Sequence, residues 1–188
     1  TASKIEKKLG YPCFVKPANA GSSVGITKAH NKEELMEGLK VAAVHDSKIV
    51  VEEGIVGREI ECAVLGNRGH VEASCVGEIF SAGEFYDYDA KYNNAESKTV
   101  VPAEISPEKQ DEIRKMAVKV FNAVDGSGLA RVDFFVENET ENVIFNELNT
   151  LPGFTPISMY SMLWAACGKS TAELLDNLIE LALERFSL

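Results

Sequence analysis

Apolar positions recur along this chain with two spacings, and the two kinds of stretch do not alternate one for one. SKIEKKLG (3–10) carries a short helical stripe and stops at Gly10. PCFVKP (12–17) reads as a strand, followed by the glycine- and serine-rich loop ANAGSSVG (18–25). In NKEELMEGLKVAAV (31–44), Asn31 caps a helix and Glu34 completes a capping box. Leu35, Leu39, Ala42 and Ala43 form its apolar stripe. KIVVEE (48–53), REIECAVLGN (58–67) and HVEASCVGEIF (70–80) are extended runs separated by glycine-containing turns. AGEFYDYDAKYNNAESK (82–98) is polar, rich in aromatics and without a period, the character of a functional or mobile loop.

The clearest helix is SPEKQDEIRKMAVKVFNAV (106–124). Ser106 caps it, Pro107 takes its first turn, and Ile113, Met116, Ala117, Val120, Phe121 and Val124 follow helical spacing. GLARVDFFVE (128–137) and NVIFNELN (142–149) read as two strands joined by the polar turn NETEN. Two helices close the chain, around 159–166 and over STAELLDNLIELALERF (170–186). The second opens on a Ser170/Glu173 capping box. Strands and helices mix without βαβ repetition, so the expected fold class is α+β rather than a doubly wound sheet.

Strand alternation places chemistry at one spot. It puts Leu129, Arg131, Asp133 and Phe135 on one face, and Val143, Phe145, Glu147 and Asn149 on one face. With a turn centred near Thr140, Asp133 lies opposite Glu147 and Arg131 opposite Asn149. Directly opposed carboxylates repel unless a cation sits between them. An oxygen-only set suits Mg²⁺. A salt-bridge cluster neutralised by Arg131 is the plainer alternative.

Other constellations are weaker taken singly. Lys16 precedes a loop whose backbone N–H groups and hydroxyls could cradle phosphate, although the order is not that of a Walker A loop and a simple hairpin connection explains it too. Glu52, Glu53 and Glu59 crowd one turn, as ligands for ribose or adenine or as solvated charges. Lys91 and Tyr92 sit on the loop, where they could close over a substrate or simply anchor it.

Composition narrows the classes. The chain has 188 residues, is 45% hydrophobic, and carries 19 basic against 29 acidic residues for a net charge of −10. That acidity argues against nucleic acid or an anionic membrane as partner. Cys13, Cys62, Cys75 and Cys167 are widely spaced and are expected to be small buried hydrophobes; His30, His45 and His70 are expected at the surface. No apolar run approaches the roughly 20 residues of a membrane span, and a cytoplasmic setting is expected.

The order of the motifs is more specific than any one of them. VKPANAGSSVG (15–25), YDYDAKY (86–92), ARVD (130–133) and NELNTLPGFT (146–155) together resemble the D-alanine–D-alanine ligases of the ATP-grasp superfamily, from about residue 10 onward. The resemblance implies two α+β lobes of mostly antiparallel sheet with flanking helices enclosing an ATP site. Residues 1–59 would be part of the central subdomain and 60–188 the C-terminal one. It implies that Lys16 and Lys91 contact ATP phosphates, with Ser22 and Ser23 in the loop over the γ-phosphate and first substrate. Glu52, Glu53, Ile55 and Phe85 would line the nucleotide, Glu59 would hold the ribose, and Tyr92 would order the mobile loop.

Asp133, Glu147 and Asn149 would hold two Mg²⁺ ions (Mn²⁺ being an equivalent), Arg131 would stabilise the transferred phosphate, and Gly153 and Ser158 would receive the carboxylate of the second amino acid. The activity implied is ATP-dependent joining of two D-alanines through a D-alanyl phosphate, in a cytoplasmic homodimer serving peptidoglycan synthesis. A D-alanine–D-serine ligase, or another ATP-grasp carboxylate–amine ligase, is the alternative. Tyr92 favours an amine acceptor over D-lactate. Without an initiator Met or a match to the domain that precedes this region in the family, the sequence is expected to be a C-terminal fragment, inactive in isolation.

Overall fold

Caps set where the helices begin. In the computed structural model, which describes residues 2–19, 21, 23–80, 98–155 and 157–186, Asn31 Oδ1 accepts the Glu34 amide at 2.9 Å. The Glu34 carboxylate turns back to Asn31 Nδ2 and to the His30 amide, one residue earlier than a standard box. At Ser170 the box is reciprocal: Oγ accepts from Glu173 N, and Glu173 Oε2 accepts from Ser170 N at 2.8 Å. Ser106 Oγ accepts from Lys109 N at 3.2 Å, with Pro107 in the first turn.

The chain divides into two compact units, one including Thr1–Ile55 and the other Val56–Phe80 and Thr99–Leu188. In the first, α1 (Ala2–Leu9) and α2 (Lys32–His45) pack on a three-stranded antiparallel sheet. Its strands are β1 (Cys13–Pro17), β2 (Thr27–Ala29) and β3 (Ile49–Glu53), in the order β2-β1-β3. Cys13, Val15, Ala29, Leu35 and Ala42 form the core. Ala43, expected on the helix stripe, is exposed. Gly38 takes the buried position instead, because a Cβ there would stand 3.1 Å from Thr27 Cβ.

In the second unit, β4 (Gly57–Asn67), β5 (His70–Phe80), β6 (Lys98–Val100), β7 (Gly128–Glu137) and β8 (Val143–Asn149) form an antiparallel sheet of order β6-β5-β4-β7-β8. One face is sealed by α3 (Pro107–Ala123), whose Ile113, Ala117 and Phe121 meet Ile60, Cys62, Val64, Val76, Val132, Phe134 and Val136. Burying each Val, Ile or Phe among them contributes about 1.5–3 kcal/mol. Val124, expected on that stripe, lies past the helix and is exposed. The second face is covered in part by α4 (Met159–Ala166) and α5 (Thr171–Phe186), through Tyr160, Leu163, Trp164 and Leu174 on Ala63 and Leu65. Gly77 lets α4 come close: a Cβ there would lie 2.8 Å from Met159 Sδ.

Two expectations are corrected here. Val143 and Phe145 do not share a face with Glu147, because the register shifts between the Asp133↔Glu147 and Phe134↔Phe145 pairs. Asn146 is the extra residue, and the bulge sends Phe145 to the α3 side, where it meets Phe134 edge-on at 6.2 Å. Of the four free cysteines, Cys13 and Cys62 are buried, Cys75 is half-buried, and Cys167 is exposed as the residue ending α4. The three histidines are exposed as expected. No helix among the described residues is long and apolar enough to cross a membrane.

Candidate functional site

Where the second face of the large sheet leaves the cover of α4 and α5, three neighbouring strands present a small grid. Glu61, Asp133 and Glu147 stand side by side across β4, β7 and β8; Ala63, Arg131 and Asn149 form the next row. The pairs expected from the sequence, Asp133↔Glu147 and Arg131↔Asn149, are therefore both present. Glu61 was not anticipated. Its signal was that it lies two residues from Glu59 on one strand, hence on the same face, but nothing local says which strand lies beside it.

Three carboxylates in line repel unless a positive group intervenes. Arg131 does so with the forked edge of its guanidinium: Nε donates to Asp133 Oδ1 at 2.8 Å and Nη2 to Oδ2 at 2.7 Å. Glu61 Oε2 makes an ion pair with the same Nε at 3.1 Å. Glu61, Arg131 and Asp133 are only 5%, 8% and 8% exposed, whereas Glu147 is exposed. Burial works against the charge on Arg131. The Asp133 hydrogen bond, then the charges of Glu61, Asp133 and Glu147, outweigh it and hold the guanidinium above its ordinary value. The row itself carries three carboxylates, and Arg131 contacts two of them, Asp133 and Glu61.

The donor set fits a hard divalent ion in chemistry: two carboxylates and an amide, all offering oxygen. Among the described residues no group of three His, Cys, Asp or Glu is placed to hold a metal; the Asn149 amide offers a further oxygen in the row next to the two carboxylates. Its Oδ1 already accepts the Leu151 amide at 3.1 Å, which fixes the side chain and leaves one lone pair.

The chain then turns through the segment expected to take an acceptor. Ser158 precedes α4 but makes no side-chain cap. Its Oγ instead accepts from Thr155 N at 3.0 Å and lies 2.8 Å from Thr155 Oγ1. Gly153 abuts it, since a Cβ there would be 2.8 Å from Ser158 Oγ. Gly153 and Ser158 are thus brought together. Glu59, facing Phe135 in the sheet register, lies on the same face as Glu61.

In the first unit, Lys16 Nζ pairs with Glu52 Oε2 at 2.7 Å, diagonally across β1 and β3. Glu53 projects to the opposite face from Glu52, opposite Cys13. Ile55 ends the first segment of this unit. Ser23 holds a left-handed backbone at φ 59°, a strained choice for a residue with a side chain. Ser22, Phe85, Lys91 and Tyr92 lie outside the described residues.

Comparison with known proteins agrees over nearly the whole chain. The sequence family described as "D-ala D-ala ligase C-terminus" matches residues 1–180. The D-alanine–D-alanine ligase of Acetivibrio thermocellus is 58% identical over 184 residues, 98% of this chain and 49% of that protein. That of Clostridium novyi is 56% identical over 183 residues, 97% and 53% of the two chains. Among solved structures, the Coxiella burnetii D-alanine–D-alanine ligase matches at TM-score 0.84 and 38% identity, over 97% of this chain and 47% of that one. VanG D-Ala:D-Ser ligase from Enterococcus faecalis matches at TM-score 0.86 and 42% identity, over 95% and 52%. The chain spans about half the length of the curated relatives it matches.

Proposed function

Because the chain belongs to the D-alanine–D-alanine ligase C-terminal family, we propose that it carries the ATP-binding, C-terminal part of an enzyme that joins two D-alanines for peptidoglycan synthesis. A carboxylate oxygen of the first D-alanine attacks the γ-phosphorus of ATP, the bond to the bridging oxygen breaks, and ADP leaves. The amine of the second D-alanine attacks the resulting acyl phosphate, phosphate departs, and the amine loses a proton to give the amide. Such chemistry depends on positioning and on cations that neutralise charge, not on a protein nucleophile.

The observation that supports this most is the row of three carboxylates on the sheet face, Glu61, Asp133 and Glu147, with the Arg131 guanidinium against two of them. Asp133, Glu147 and Asn149 are the residues that would hold Mg²⁺ (two ions, or Mn²⁺), which when bound neutralises phosphate oxygens. Arg131, charged throughout the working pH range, meets the transferred phosphate. The Gly153 N–H and the Ser158 hydroxyl take the acceptor carboxylate. Lys16, Ser22, Ser23 and Lys91 serve the phosphates and first substrate. Glu52, Glu53, Ile55 and Phe85 serve the nucleotide, Glu59 the ribose, and Tyr92 orders its loop. Residues 1–59 belong to the central subdomain and 60–188 to the C-terminal one. The full-length enzyme is a cytoplasmic homodimer acting on ATP and D-alanine, with neither nucleic acid nor membrane as partner.

Likeness to VanG D-Ala:D-Ser ligase supports a second reading, in which D-serine is the acceptor. Calorimetric titration of the chain with ATP, with and without Mg²⁺, tests the site. Binding that needs Mg²⁺ and weakens roughly tenfold or more in Glu147→Gln is expected. A folded chain whose ATP binding ignores both the ion and the substitution refutes it. Phosphate release by the full-length enzyme with D-alanine or D-serine as acceptor separates the two readings.

A further inference from the structure

We propose that Glu61 is a positioning residue that keeps Arg131 in the site when Asp133 turns to a cation. The role rests on Asp133 being a metal ligand, as read above, while the anchoring itself is testable without any metal.

Asp133 is engaged as the structure stands: both its oxygens accept from Arg131. A divalent ion drawn to Asp133 therefore competes with the guanidinium for the same oxygens. An arginine with no second anchor has two outcomes, to block the ion or to swing away as the ion arrives. Swinging away removes the Arg131 charge from the place where phosphate charge must be met.

Glu61 supplies a third outcome. Its Oε2 is 3.1 Å from Arg131 Nε, the same nitrogen that donates to Asp133 Oδ1 at 2.8 Å. That N–H is directed at Asp133; Glu61 Oε2 is ion-paired with the same nitrogen but takes no hydrogen bond from it, so the fork turns to Glu61 once Asp133 releases the N–H. The sheet register puts Glu61 there: it is level with Asp133, and the residue level with Arg131 is the small Ala63. A buried carboxylate is costly unless paired. Level with Glu61 on β5 is Gly77, which brings no charge of its own. The long Glu61 side chain reaches diagonally to Arg131, where Ala63 leaves room for it.

The test uses ¹⁵N–¹H spectra of the arginine Nε–H group in the metal-free chain. Asp133→Asn removes the competing carboxylate, as an ion would. The Arg131 Nε–H is expected to keep exchanging slowly with solvent in Asp133→Asn, and to exchange roughly tenfold faster once Glu61→Gln is added. An Arg131 signal that already exchanges like exposed arginines in Asp133→Asn overturns the proposal. So does a double variant no faster than the single one. Thermal melts of each variant identify any that fail to fold, and Asp133→Asn with Glu61→Asp, too short to reach, is expected to repeat the faster exchange.

A second arm titrates Mn²⁺ alone, followed by electron paramagnetic resonance. Glu61→Gln is expected to bind Mn²⁺ severalfold more weakly than the unsubstituted chain. Equal affinity overturns the coupling of Glu61 to the ion. If the unsubstituted chain binds no Mn²⁺ at millimolar ion, the metal reading of Asp133 falls, and the exchange measurement still decides whether Glu61 anchors Arg131.

Discussion

The two faces of the five-stranded sheet are built from the same strands and obey opposite rules. Along β4 and β7, Ile60, Cys62, Val64, Val132, Phe134 and Val136 point to α3 and are buried. The residues between them, Glu61, Arg131 and Asp133, are also buried, yet they are charged. On the α3 face stability comes from apolar area, which has no direction, and any well-shaped hydrophobe serves. On the other face it depends on named pairs: Arg131 holds Asp133 and Glu61, and removing one member strands the others. The lesson is that burial alone does not mark a core. What marks the candidate site is buried charge of one sign lined up on a single sheet face.

The comparison breaks first at Phe121. Phe121→Ala is expected to lower the unfolding free energy by about 3–5 kcal/mol, measured by urea denaturation, because it opens a cavity where α3 meets the sheet. A smaller loss is expected on the charged face. Arg131→Met should cost about 3 kcal/mol by leaving Glu61 and Asp133 buried beside each other. Adding Glu61→Gln and Asp133→Asn should recover much of it, since these neighbours are coupled. Failure to recover would show that the loss comes from packing, and the contrast between the faces would dissolve.

Caps sharpen the picture at lower amplitude. Ser106→Ala, which frees the Lys109 amide at the start of α3, is expected to cost about 1 kcal/mol in the same assay. Glu147→Gln lies at the exposed end of the acidic row and should shift stability by no more than about 0.5 kcal/mol, even as it weakens Mg²⁺-dependent ATP binding. That pairing of effects separates a binding carboxylate from a structural one.

The smallest effect concerns pH. Hydrogen bonds from the Ser170 side chain, then its backbone, hold the Glu173 carboxyl below its ordinary value. A carboxyl lowered in the folded state adds stability above its unfolded value, and that stability fades as pH falls through the folded value. Melting temperature should therefore decline on acidification below about pH 4.5. Ser170→Ala should flatten that part of the decline, and an unchanged profile would show that the cap at α5 carries none of it.

Much of this was legible in the order of residues. Caps at Asn31, Ser106 and Ser170, the limits of the six longer strands and the family resemblance all follow from local chemistry and motif order, whereas the three-residue strands β2 and β6 were not read. The Asp133↔Glu147 pairing was legible for a subtler reason. At the tip of the β7–β8 hairpin the pairing Val136↔Val143 is offset by one residue from the Arg131↔Asn149 register, and the bulge at Asn146 makes up the difference. The expected partners were right at the site, while Phe145, before the bulge, was on the wrong face. Gly38 likewise replaced Ala43 on α2 because the decisive fact was how near the helix comes to Thr27.

By itself the sequence determined the longer elements, most of their amphipathic positions, and the family, because periodicity, capping and motif wording are local properties. It put Arg131 and Asp133 on one face because side chains alternate every second residue along any strand. Only the tertiary structure decided that Glu61 stands level with Asp133 and within reach of Arg131. The order β4-β7-β8 is set by which strands bury their common apolar face against α3. That choice is made by the packing of distant segments, and no spacing within a single strand encodes it.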